Sequence, residues 1–233
     1  MSIDSHYSQF CPVAMTAEIF CQRWTVLVLR EMFCGSTRFN DLRRGVPRMS
    51  PSLLSKRLIE LKEAAVIVEV PSEKTSGTEY HLTAAGEQLR PIVMAMGHWG
   101  QRWIESRLSL KNLDASLLMW DMRRWLEPKP LPKRRIVIRF HYEDAKKGNQ
   151  TFWLIVDPDG AVDLCSTDPG FEVDLFVASP LRSMTAIWMG LTTVKQEIEN
   201  GTLVIDGSHE IASTMQSWLG LSPFAREKSQ IAA

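Results

Sequence analysis

Ser52, Ser55, Lys56 and Arg57 bring two hydroxyls, an ammonium and a guanidinium into six consecutive positions. Those groups donate hydrogen bonds and positive charge, the chemistry that base edges and phosphate oxygens accept. The surrounding stretch has the same character. From residue 38 to 57 the chain carries Arg38, Arg43, Arg44, Arg48, Lys56 and Arg57 against the single acid Asp41, an excess of five positive charges in a chain whose 27 basic and 27 acidic residues cancel. A patch of this kind attracts a polyanion. A second reactive candidate is Cys11, just before a predicted first helix, because a helix N-terminus or a nearby cation lowers a thiol pKa. Cys21, Cys34 and Cys165 read as packing residues.

The elements that must position the donors are well punctuated. Ser50 can cap a helix with its hydroxyl and Pro51 suits the first helical position, where a missing N–H costs nothing. Leu54, Leu58 and Leu61 then recur as one apolar stripe, with Ser52 and Lys56 roughly opposite and Ser55 and Arg57 on the flanks. Upstream, Trp24 to Phe33 reads as a buried helix and Arg38 to Arg44 as a short one, joined through Cys34-Gly35-Ser36, giving helix, turn, helix. Downstream, Val66 to Val70 and Thr78 to Leu82 are β-prone runs around a turn-rich tip containing Lys74, which together make a wing.

Cys11-Pro12, Arg23-Trp24, Arg38-Phe39-Asn40-Asp41-Leu42, Ser50-Pro51, Leu54-Ser55-Lys56-Arg57-Leu58 with Leu61, and Tyr80-His81-Leu82-Thr83 with Gly86 carry a resemblance. Residues 11 to about 103 resemble the HxlR-type winged helix-turn-helix regulators, bacterial transcription factors that bind operator DNA as dimers. The resemblance and the basic cluster together place Ser52, Ser55, Lys56 and Arg57 near the major groove, and Arg38, Arg48 and Lys74 on phosphates or in the minor groove. It also implies a redox-sensing role for Cys11, since some members sense oxidants through a thiol at this Cys-Pro position. Ala65 departs from the pattern by standing where the family places glycine, so the exit of the helix is expected to be tighter or shifted.

At 233 residues and 45% hydrophobic content the chain can bury one large core or two modest ones. No run of about 18 uncharged apolar residues occurs, and the N-terminus lacks a basic flank with an apolar core, so neither a membrane span nor a secretory signal is indicated. A cytoplasmic location follows by default. The four cysteines and five histidines have no zinc-type spacing. With no phosphate loop, nucleophile elbow or isolated carboxylate pair, catalysis is not expected, and no metal or cofactor is implied.

The zero net charge hides a division. Residues 106 to 139 hold nine basic residues against three acids, whereas from His141 onward thirteen acids face six bases. An acidic second half is repelled by DNA and should do something else. Three prolines at 128, 130 and 132 mark a hinge or rigid connector. The Met- and Trp-rich helical region from Thr83 through Ile104, which Pro91 should kink, exceeds what a small winged helix can hide and suggests a dimer interface. A second helix spans Ala115 to Leu126.

Beyond the prolines, Arg135 to Tyr142, Thr151 to Val156, Ala161 to Cys165 and Glu172 to Val177 read as a four-strand meander. Helices from Pro180 through Met189 and Thr193 to Asn200, a strand at Leu203 to Asp206, and a helix from Ser208 to Leu219 complete an α+β fold with an antiparallel sheet. Residues from about 133 to 222 resemble the sterol carrier domain, a sheet covered by helices around an apolar tunnel. That resemblance implies an apolar small-molecule ligand and brings no catalytic residue. Candidate lining residues are Phe152, Trp153, Phe176, Met184, Ile187, Trp188, Met215 and Trp218, aromatic or flexible side chains suited to such a cavity.

The expected organisation is a winged helix-turn-helix for DNA binding and dimerisation at 1–105, a helical connector with a proline hinge at 106–132, a ligand domain at 133–222 and a flexible tail at 223–233. The expected function is a homodimeric regulator on operator DNA, tuned by an apolar ligand. The alternatives are a lipid or small-molecule carrier that uses the winged helix for dimerisation, and a thiol-based regulator centred on Cys11.

Overall fold

Val28, Leu29 and Met32 share one side of the helix after Trp24, and in the computed structural model of the protein they are buried against Leu42, Leu54, Leu58 and Leu61. The structure describes residues 7–73, 76–104, 110–227 and 230. The chain divides into two compact units, residues 1–96 and 97–233.

The first unit contains α1 (Pro12–Phe20), α2 (Thr25–Phe33), α3 (Phe39–Gly45), α4 (Pro51–Glu63), β1 (Ile67–Pro71), β2 (Thr78–Leu82), α5 (Ala84–Gln88) and the start of α6 (Arg90–Trp103). β1 and β2 form an antiparallel ribbon with Ile67 opposite Leu82 and Pro71 opposite Thr78. Lys74, at the expected wing tip, lies outside the described residues. Pro91 does not kink a long helix. It occupies the first turn of α6, where its missing N–H is no loss, and Leu89 separates that helix from α5.

Ala65 gives α4 a finish that the sequence did not anticipate. Its φ is +56°. The Ala65 N–H donates to the Lys62 carbonyl and the Val66 N–H to the Leu61 carbonyl, at 3.0 and 2.9 Å. This is the glycine-type helix stop made with an alanine, and Val66 and Leu61 supply its apolar contact. The exit keeps the usual geometry and carries the strain of a Cβ in left-handed backbone.

The second unit contains α7 (Ala115–Trp125), β3 (Ile136–His141), β4 (Thr151–Val156), β5 (Val162–Cys165), β6 (Leu175–Ala178), α8 (Leu181–Trp188), α9 (Val194–Glu199), β7 (Val204–Gly207), α10 (His209–Ser213) and α11 (Met215–Trp218). Its five-stranded sheet has the order β5-β4-β3-β6-β7. The sheet is mixed, neither antiparallel throughout nor a meander, because β6 pairs parallel with β3, Ile138 beside Leu175. The link from Ser166 to Asp174 is too long for an ordinary hairpin of two to five residues and crosses to the far side of β3. The helix expected from Ser208 to Leu219 breaks at Thr214, whose hydroxyl bonds the carbonyls of Glu210 and Ile211 while the Trp218 indole also takes the Ile211 carbonyl.

The proline segment contributes side chains to the second unit's core. Leu126 and Leu131 are buried in the second unit's core, and the Glu127 N–H donates to the Trp218 carbonyl at 2.9 Å. Prolines exclude helix there without preventing burial of the intervening leucines. Two residues of the expected tail make side-chain contacts. The Phe224 ring packs edge-on to His98 and against Gly97, where a Cβ would stand 2.3 Å from the ring, and Glu227 accepts from Arg102 Nε at 2.6 Å.

The eight candidate lining residues fall on two faces of the sheet. Phe152, Met184, Ile187, Trp188, Met215 and Trp218 are packed in one core cluster. Trp153 and Phe176 lie on the opposite sheet face, flanking the Arg139 guanidinium at 5.8 and 5.7 Å. Consecutive strand residues such as Phe152 and Trp153 point to opposite faces, so they cannot share a tunnel wall. Among the described residues no helix is long and apolar enough to cross a membrane, and no cluster of His, Cys, Asp or Glu is arranged to hold a metal.

Candidate nucleic-acid interface

α4 is held at its start by Ser50, whose Oγ accepts the Leu53 N–H at 3.3 Å, with Pro51 at the first helical position. Leu54, Leu58 and Leu61 are 0%, 2% and 1% exposed, fixing one side of the helix in the core. Ser52, Ser55 and Lys56 are exposed on the other side, as their spacing predicts. Ile59 joins them at 51% exposure. Counting from the leucine stripe would have found it, because Ile59 falls seven residues after Ser52, about two turns on.

Arg57 differs from the expectation. Its side chain is only 10% exposed. Nε donates to the Arg23 carbonyl at 3.0 Å, and Nη1 pairs with Glu60. That carbonyl belongs to the turn between α1 and α2, where Trp24 has a φ of +79°. Arg57 therefore clamps this turn to α4 and is not available to a groove. Lys56 is 67% exposed and stands 3.9 Å from Glu60, a loose surface pair that a phosphate can displace.

The basic residues before α4 divide by environment. Arg43 and Arg48 are exposed and make no ion pair among the described residues, while Arg44 lies 3.6 Å from Asp41. Arg38 is partly committed to the wing. Its Nε donates to Glu79 Oε1 at 3.2 Å, and the neighbouring Tyr80 N–H donates to the Thr37 carbonyl at 2.7 Å, stitching the start of α3 to β2. Glu79 also accepts from the Ser72 hydroxyl at 2.8 Å. The Ser72 hydrogen bond first, then Arg38 and His81, hold its carboxyl below the usual range, so it remains an anion that anchors Arg38. The Arg38 side chain is still 39% exposed.

Below the helices, Glu31 is wholly buried and takes the Arg30 guanidinium at 2.7 Å, and Arg30 also reaches the Gly45 carbonyl. A Cβ on Gly45 would collide with the Glu31 carboxylate at 1.8 Å, so glycine is required where α3 closes on α2. This contact sets the angle between the two helices that support α4.

Cys11 is the N-cap residue of α1; its side chain makes no capping hydrogen bond, and the nearby backbone amides of Ala14 and Val13 hold its thiol pKa below the ordinary value. The thiol is half-buried.

The HxlR-like helix-turn-helix family model matches residues 19–108, the stretch that carries α2 to α6 and the wing but not Cys11 or most of α1. An uncharacterized HTH-type transcriptional regulator of Synechocystis sp. is 34% identical over 109 residues, 46% of this chain and 78% of that one. The uncharacterized HTH-type transcriptional regulator YvaP of Bacillus subtilis is 34% identical over 100 residues, 42% of this chain and 93% of its own. Among solved structures, the redox regulator HypR in its reduced form is 30% identical across 39% of this chain and 91% of that chain, with a TM-score of 0.37. Aligned over most of the length of such relatives, the chain belongs to the HxlR-like helix-turn-helix family of transcriptional regulators.

Proposed function

We propose that this protein is a homodimeric regulator whose N-terminal unit binds double-stranded operator DNA. The observation that carries the reading is the two-sided α4, with its leucines buried and Ser52, Ser55 and Lys56 exposed along the other face. In this reading those three side chains meet base edges in the major groove, while Arg38, Arg43 and Arg48 take phosphates. Lys74 is retained as a sequence-based phosphate contact at the wing tip. Titrating labelled upstream intergenic DNA at several salt concentrations tests the proposal, since contact with phosphates makes affinity fall steeply as salt rises. Binding that ignores salt, or its absence, sinks it and favours the carrier alternative.

Dimerisation is supported by α6. Ile92, Met96, Trp99 and Trp103, spaced four, three and four residues apart, are 46%, 49%, 61% and 52% exposed along one side of that helix. An apolar stripe of this kind is ordinarily covered by a partner. Light scattering of Trp99→Glu/Trp103→Glu should report a monomer where the wild type reports a dimer.

The C-terminal unit is proposed as the sensor, following the strand, helix, helix, strand order of the sterol carrier resemblance. Met184 and Met215 are fully buried in its core and could yield to an apolar ligand, because unbranched thioether side chains adapt their packing readily. A ligand that favours one domain arrangement must alter operator affinity by its differential affinity for the two states. Saturating ligand that leaves operator affinity unchanged removes this part of the proposal.

A second reading rests on Cys11. Its placement at the start of α1 favours the thiolate, the nucleophilic form. Cys11→Ser should abolish any response to oxidant while preserving basal DNA binding; an unchanged response excludes the thiol switch.

A further inference from the structure

Ile59 occupies the wrong side of α4 for a core residue. It lies about two turns from Ser52 and three or four residues from Ser55 and Lys56, so it shares their face. Half of its surface is exposed, while the leucines of the same helix are sealed in the core. Lys56 stands three residues before it and Lys62 three after, with Glu60 paired to Lys56 and Glu63 exposed one turn on. The excess of positive charge that favours a polyanion therefore comes from Arg43 and Arg48, exposed just upstream of the same helix. The proposed DNA-binding face has an isoleucine directly after its donors Ser52, Ser55 and Lys56.

Base chemistry narrows what an isoleucine can meet in a major groove. Adenine and cytosine present amino donors there, guanine presents acceptors, and thymine adds a 5-methyl group. A branched alkyl side chain pressed on the first three would strip water from polar groups and return no hydrogen bond. Against thymine it removes a methyl group from water.

We infer that Ile59 is a specificity-determining residue that recognises the 5-methyl group of a thymine in the operator half-site. This inference rests on the DNA-binding reading above and adds to it a base preference supplied without a hydrogen bond.

The test uses the full chain and a duplex enriched from a random pool by the wild-type protein, synthesised either with thymidine or with deoxyuridine at every thymidine position. Wild-type protein should bind the deoxyuridine duplex about fourfold more weakly per half-site, the transfer value of one methyl group. Ile59→Ala should bind the thymidine duplex with a similar loss and should no longer distinguish the two duplexes. Ile59→Val, which keeps a branched methyl surface, should retain the distinction. Equal wild-type affinity for both duplexes, or a deoxyuridine penalty that persists in full in Ile59→Ala, overturns the inference and leaves the DNA-binding reading standing. Failure to enrich any duplex overturns that reading, and the inference with it.

Discussion

Arg57 and Lys56 are adjacent and alike in charge, yet their replacement by alanine should have separable consequences. Arg57 donates to the Arg23 carbonyl at 3.0 Å from a side chain that is 10% exposed. A hydrogen bond from a charged group contributes about 1.5–3 kcal/mol, and the half-exposed pair with Glu60 adds little after solvent screening. Arg57→Ala should therefore destabilise the N-terminal unit by about 2 kcal/mol. For a domain of about a hundred residues that lowers the melting temperature by roughly 10 °C. Lys56, 67% exposed, should change stability by no more than about 0.5 kcal/mol when truncated, yet weaken DNA binding. Arg57→Lys should rescue little, because an ammonium cannot present the Nε–H and the Glu60 contact in one rigid fork. Calorimetry of the full chain, with hydrogen exchange of the α2 and α4 amides to identify the transition, reads the first effect; DNA titration below the melting range reads the second. If Arg57→Ala melts like wild type and loses DNA affinity as Lys56→Ala does, Arg57 is a groove contact and the clamp is wrong.

Other expectations follow from single contacts. Ala65→Gly should stabilise the first unit by about 0.5–1 kcal/mol in urea unfolding, because relief of left-handed strain exceeds the added chain entropy of glycine. Gly97→Ala should dislodge Phe224, since the new Cβ would stand 2.3 Å from its ring, and limited proteolysis should then cut residues 223–227 faster. The same segment should loosen in acid. Arg102, by its hydrogen bond and then its charge, with His98, holds the Glu227 carboxyl below the ordinary glutamate value. A depressed folded-state pKa means the clamp is complete above the unfolded glutamate range, about 4.3, and is lost as pH falls through the lower folded value. The protection factor of amides near residue 227, that is exchange corrected for its intrinsic pH dependence, should fall on that acid limb.

The start of α4 was legible because its signal is local: Ser50 and Pro51 act on the backbone of the next few residues. The leucine stripe was legible for the same reason, as periodicity reports which side of a helix is buried. The burial of Arg57 was not, because its acceptor is a backbone carbonyl 34 residues away, and nothing in the local sequence marks that meeting. Strand positions were close to those read from the chain, whereas strand neighbours were misjudged. Alternation tells which face Val177 turns to the core and says nothing about whether β6 pairs with β5 or β3. The lining assignment mixed two sheet faces, since Phe152 and Trp153 are consecutive in β4 and a strict application of the two-residue period separates them. The contact of Phe224 with Gly97 was not legible either, because the two residues are far apart in the chain and the polar composition around Phe224 gives no local sign of it.

DNA binding by the exposed side of α4 underlies every other part of the proposed function. The most direct measurement is the affinity of the wild-type chain and Lys56→Ala for upstream intergenic DNA across a salt series. Wild-type binding should be tight and fall steeply and linearly in log–log form as salt rises, with Lys56→Ala at least about tenfold weaker at each salt concentration, the equivalent of about 1.4 kcal/mol. Equal binding by the two proteins, or binding indifferent to salt, would contradict it.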